Sequence, residues 1–227
     1  SNPYIRFALG PIAKELYGRD SEGSQVQLLT PILSELALKH GTLPDAKSTF
    51  EELGVAVFSL ERPNYQLARH LIDQAKASGL GIQLPMVFYG LKTVKDDNFA
   101  DSRGLKFDFA EDTVGYHVSV LSKLTGKFKS TDPSLVQNGF PSDLGEGDRT
   151  LYTAKDGLGR VYRNRILNLY ASFDDLPGWG EAGRVSFVKG EAPQNLEAAL
   201  KAIEAEKRRQ EETVAQRFEQ AMKLMKG

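Results

Sequence analysis

The chain has 227 residues, 41% of them hydrophobic and 26% charged, ordinary values for a folded soluble protein. Its 29 basic and 30 acidic side chains leave a net charge of −1, which excludes a uniformly basic nucleic-acid coat and a highly charged disordered tail. Cysteine is absent, and with it disulfides, cysteine-ligated zinc, iron–sulfur clusters and thiol nucleophiles. No apolar run approaches the ~20 residues of a membrane helix.

The elements in chain order predict an α+β fold: a single domain over 3–190 with a sub-boundary near 91, then a long C-terminal helix over 192–226. Ser1 and Asn2 precede Pro3 with no initiating methionine and read as the scar of a cleaved tag. Gly10-Pro11 breaks the chain, and Pro11 suits the first position of a short helix closed by Gly18. A second helix runs to His40 with Gly41 as its stop. Val26, Leu29, Ile32, Leu33, Leu36 and Ala37 share one face, and the start falls at Ser24 or, because of the proline, at Thr30-Pro31.

Residues 48–90 predict a strand–helix–strand unit. Ser48 and Glu51 have capping-box spacing. Gly54 to Leu60 is an apolar, β-branched run; Leu67, Ala68, Leu71, Ile72 and Ala75 trace a helix face that ends at Gly79; Ile82 to Tyr89 is a second strand. Parallel pairing of the two strands would require a right-handed crossover.

From 91 to 190 helical periodicity gives way to short alternating runs, predicting a mainly antiparallel sheet or small barrel. Candidate strands are Leu105–Phe109, Val114–Leu121 and Arg184–Val188, with Lys127–Asp148 as a long loop. Thr150–Ala154 and Arg160–Phe173 read as a hairpin around Lys155-Asp156-Gly157. Residues 192–226 carry no glycine, and their one proline, Pro193, sits at the start; about thirty helical residues would span about 45–50 Å. Leu196, Leu200 and Ile203 form one stripe and Val214, Phe218, Met222 and Met225 another. The polar waist between them (207–212) predicts that the second stripe needs another surface, such as a second chain.

The chemistry narrows mostly by exclusion. His40, His70 and His117 show no zinc-ligand spacing. No G-x-S-x-G elbow and no P-loop is present, and Gly157-Leu158-Gly159 lies in a turn rather than before a helix. No catalytic residue, metal ligand or cofactor is therefore expected. Asp96, Asp97, Asp101, Asp108, Glu111 and Asp112 form an acidic run that could hold Mg²⁺ in a metal-dependent hydrolase. Trp179, the single tryptophan, stands in the turn cluster Pro177-Gly178-Trp179-Gly180.

The stretch 151–190 carries six basic against four acidic side chains, whereas 101–150 carries six against eight. Arg160, Arg163 and Arg165 interleave with Tyr162 and Tyr170, and Tyr152 lies on the preceding strand. Arginine neutralises phosphates and tyrosine stacks on bases, so the expectation is a non-enzymatic binding protein taking single-stranded nucleic acid on the 150–175 hairpin through Arg160, Tyr162, Arg163, Arg165 and Tyr170. A scaffold that self-associates, or holds a partner protein, through 205–226 is the alternative, and the hydrolase using 96–112 a third. The expected compartment is the cytoplasm, with no membrane span; a signal peptide removed from the N-terminus would also fit.

Overall fold

The computed structural model describes residues 2–17, 25–43, 46–47, 49–172, 176, 183–184 and 187–190. The long C-terminal helix over 192–226, with its proposed association surface, and the Trp179 turn both lie outside the described residues, as do Ser24 and Ser48.

The first helix, α1 (Pro3–Tyr17), starts at Pro3 rather than Pro11. Asn2 accepts the Ile5 N–H at 3.0 Å on its side chain and the Arg6 N–H at 2.9 Å on its carbonyl, which makes it the cap. Pro11 has no N–H for the carbonyl of Phe7, but it is exposed. Tyr4 and Phe7 are buried one turn or more ahead of it, so packing holds the helix through the proline. Next comes β1 (Gln25–Leu28), where Val26 had been expected on a helix. The helix α2 (Pro31–Lys39) takes the later of the two expected starts: Thr30 Oγ1 accepts the Leu33 N–H at 3.2 Å, and Gly41 turns the chain at φ 64°.

The long strand β2 (Phe50–Val57) contains Glu51, which therefore closes no capping box; its backbone pairs with a neighbouring strand instead. On α3 (Tyr65–Ala77) the buried residues are the five expected from the periodicity, Leu67, Ala68, Leu71, Ile72 and Ala75. The strand β3 (Met86–Lys95) pairs with β2 in antiparallel fashion, with Val57 opposite Met86. The helix carries the chain about 20 Å along the sheet. Segment 79–85 brings it back to the end it left, so the parallel crossover does not form. Residue 91 lies within β3, next to a bulge between Tyr89 and Leu91.

One strand, β4 (Leu105–His117), replaces the two expected, and Val118–Leu121 turns away into 3-10 helix. The expected long loop contains β5 (Gly126–Phe128) and the single-turn helix α4 (Leu135–Asn138). Then follow β6 (Arg149–Thr153), β7 (Leu158–Arg163), β8 (Leu169–Ser172), β9 (Gly183–Arg184) and β10 (Phe187–Gly190).

The main sheet runs β4-β3-β2-β7-β8-β6-β5, with β9 beside β2, while β1 and β10 form a separate antiparallel pair. Among the described residues every pairing is antiparallel except β6 with β8 and β2 with β9, so the protein is α+β with a mostly antiparallel sheet. Thr150–Ala154 and Arg160–Phe173 do not form a hairpin with each other. The hairpin is β7–β8, and β8 inserts between β7 and β6. The link 154–157 must therefore step across two strand spacings, about 10 Å, which four residues can span. At Gly157 (φ 69°) the carbonyl of Pro63 comes so close that a Cβ would sit 2.1 Å from it. That residue is a glycine because the turn beside β2 lies against it.

Alternation along the strands builds two cores. On one face Val55, Val57, Leu158, Met86 and Phe88 pack under α1 and α3. On the other, Leu53, Ala56, Val87, Leu151, Val161, Leu169 and Ala171 pack with Phe128, Leu135 and Phe140. Leu33 and Leu36 of α2, with Leu29, make a third, smaller cluster. Charge is buried beside these cores. Arg6 is fully buried and donates to the carbonyls of Leu29 (2.5 Å) and Glu52; desolvation pulls its pKa down to about 10 against the opposing pull of Glu51. Glu35 and Arg149, both buried, form a two-bonded pair between α2 and β6. Among the described residues no helix is long and apolar enough to cross a membrane.

Candidate nucleic-acid interface

The register assigns each side chain of the last strands to a face. Tyr152 is opposite Tyr170, and Tyr170 opposite Tyr162. The three rings stand in a column across β6, β8 and β7: centroids 4.3 Å apart with planes 12° from parallel, then 4.6 Å and 10°. The spacing follows from the strands themselves, which lie about 4.8 Å apart. Lys127 faces Thr150 on the same side, and Arg160 faces Ser172. Helices α1 and α3 lie over β2, β3, β4 and the beginning of β7 on this side. Past them, Tyr152 and Tyr170 are half-exposed and Lys127 is exposed.

Tyr162 ends the column at the covered side. Its ring touches Phe50, 6.3 Å away, and the Arg160 guanidinium lies 5.2 Å above it. Arg160 also pairs with the buried carboxylate of Glu52. Arg165, in the β7–β8 turn, lies 5.2 Å over the Phe50 ring. Burial, then Tyr170, pushes the Tyr162 hydroxyl up to about 12; burial, then Tyr152, also raises Tyr170. Among the described residues, Lys127, Arg160 and Arg165 stand beside the column, with the Glu52 carboxylate paired to Arg160.

Four of the five expected site residues, Arg160, Tyr162, Arg165 and Tyr170, gather here. Arg163 does not. It is 0% exposed, on the opposite face with Val161, where its Nε donates to Ser34 Oγ (3.2 Å) and its Nη1 to the Ala46 carbonyl (3.1 Å). The period of two along a strand separates residue 163 from 160 and 162, a signal present in the sequence itself. Tyr152 completes the column, and Lys127 joins it because β5 forms where a loop was expected.

The acidic run has another arrangement. Lys106 Nζ lies 3.2 Å from Asp96 and 3.7 Å from Asp108, and Asp108 also meets His70 Nε2 at 2.7 Å. Hydrogen bonds from Asn98 and Lys106 hold the Asp96 carboxyl below its ordinary range. Glu111 and Asp112 are exposed farther along β4. Among the described residues no three acidic or imidazole groups gather as metal ligands. The His70–Asp108 contact joins residues 38 positions apart, which spacing along the chain does not reveal. His117 donates from Nδ1 to the carbonyls of Gln83 (2.9 Å) and Pro85 (3.1 Å). A surface groove lies between Phe128–Pro133 and Ser142–Glu146. Its Asp132 accepts from the backbone and hydroxyl of both Ser134 and Ser142, and its Asp143 pairs with Lys123.

The chain matches no model of a known protein family, no curated protein and no solved structure.

Proposed function

We propose that this is a non-enzymatic binding protein that lays a single strand of nucleic acid across the face of β5, β6, β8 and β7. The observation that carries this reading is the tyrosine column flanked by Lys127 at one end and Arg160 and Arg165 at the other, with Glu52 as the nearby carboxylate. Single-strand binders combine cations that follow the backbone with aromatic rings that meet bases. Glu52 neutralises much of Arg160, so Lys127 and Arg165 supply the phosphate contacts. Two contacts give modest, salt-sensitive affinity with little sequence preference.

Fluorescence anisotropy with labelled single-stranded DNA and RNA at low salt tests the proposal. Binding is expected, with a salt slope that shrinks by roughly 0.7 for each of Lys127→Ala and Arg165→Ala. A wild-type protein that leaves both oligonucleotides free at low salt refutes it.

A further inference from the structure

The tyrosine column is closed at one end and open at the other. Tyr170 has a ring on each side, at 4.3 and 4.6 Å, so neither of its faces can receive a base. Tyr162 is 8% exposed, with Tyr170 on one side and Phe50 and Arg160 around the rest. Among the described residues Tyr152 stacks on Tyr170 alone, and it is half-exposed. Continuing the β5–β6 register by one residue beyond Gly126 opposite Leu151 puts Thr125 beside Tyr152. Thr125 is short, and its hydroxyl is already turned to the Thr153 N–H at 3.1 Å. Where a fourth ring would continue the column, the chain supplies a threonine. On the same face, two residues along β5, stands the exposed ammonium of Lys127.

We infer that one nucleobase occupies this fourth place, stacked end-on against the outer face of Tyr152 with an adjoining phosphate at Lys127. The inference rests on the nucleic-acid reading and sharpens it: the contact is with a single base, and Tyr170 and Tyr162 serve as the backing that holds Tyr152 upright. A π-face accepts any base, so the place discriminates weakly among the four. The flat ring and the cation together select a nucleotide over a simple anion.

The test is anisotropy titration of the full chain with a labelled single-stranded oligothymidylate at several salt concentrations. Tyr152→Ala should weaken binding about 5- to 100-fold, the range of one stacked base, while leaving the salt slope unchanged. Lys127→Ala should reduce the slope. Thr125→Leu, which covers the outer face of Tyr152 with an aliphatic side chain and offers no ring of its own, should weaken binding like Tyr152→Ala, and it decides the matter if Tyr152→Ala does not fold. Wild-type affinity in Thr125→Leu and in a folded Tyr152→Ala overturns the end-on place and leaves the nucleic-acid reading standing. Failure of the wild type to bind at low salt overturns both.

Discussion

Glu35 and Arg149 meet side-on in the interior. Arg149 Nη1 donates to Glu35 Oε2 at 2.6 Å and Nη2 to Oε1 at 2.8 Å, joining α2 to β6 across 114 residues of chain. The guanidinium also lies 4.9 Å over the Phe128 ring and donates from Nε to the Leu167 carbonyl. Removing one partner strands the other charge in a poorly solvated place, which typically costs 3–5 kcal/mol. Glu35→Ala should therefore lose about that much in denaturant unfolding. The double variant Glu35→Leu/Arg149→Leu should lose much less, because no lone charge is left behind.

The outer edge of β4 is closed by a side chain. Gln74 of α3 donates to the Phe107 carbonyl at 3.0 Å and accepts the Phe109 N–H at 2.8 Å, so its amide occupies the place of a neighbouring strand. On the other side of β4, Thr113 Oγ1 takes the Ala110 N–H at 2.7 Å and donates to the Gly90 carbonyl at 2.8 Å, filling the bulge against β3. An exposed edge of this length invites pairing between molecules. Gln74→Leu should make the protein associate in a concentration-dependent way, read by light scattering; a wild-type size at all concentrations would contradict this role.

Asp132 organises the loop between β5 and β6. Burial raises its carboxyl, but hydrogen bonds from Ser134 and Ser142 outweigh this and hold it below its ordinary 3.8. A carboxyl depressed in the folded state stabilises fully above the unfolded value, and that contribution disappears as pH falls through the lower folded value. Stability measured from neutral pH downward should fall below about pH 4. Asp132→Asn should be less stable at neutral pH and lose less on acidification.

At the alkaline end Tyr162 is one of the tyrosines, with Tyr4, Tyr89 and Tyr116, whose burial shapes the response. The Tyr162 hydroxyl is pushed from 10.0 to about 12 by burial and by Tyr170. Its contribution is complete below pH 10 and is lost as pH climbs through the folded value. Tyr162→Phe, which cannot ionise, should flatten the loss of stability above pH 10; unfolding curves at neutral and alkaline pH check this.

Local pattern carried much of the molecule. The buried face of α3 was legible residue by residue, because a helix against one sheet face needs a 3.6-residue repeat and little else. The start of α2 at Thr30-Pro31 and the turns at Gly41 and Gly79 were legible for the same kind of reason: cap and stop chemistry acts over a few residues. Alternation along β7 already separated Arg163 from Arg160 and Tyr162, so a strict period of two would have removed it from the candidate site. α1 runs through Pro11 because that proline is only a local signal, whereas the burial of Tyr4 and Phe7 that outweighs it depends on the rest of the fold.

What the sequence determined by itself is the α+β composition, the amphipathic face of α3, and a stretch near 150–172 in which arginines and tyrosines alternate. Only the tertiary structure decided which strands touch. β8 enters between β6 and β7, and that one choice of neighbour turns Tyr152, Tyr170 and Tyr162 from three separated residues into a column. β5 forms at the margin and puts Thr125 and Lys127 at its open end. Strand order depends on loop reach and on burial of both sheet faces at once, quantities summed over the whole chain, and no short window of residues contains them.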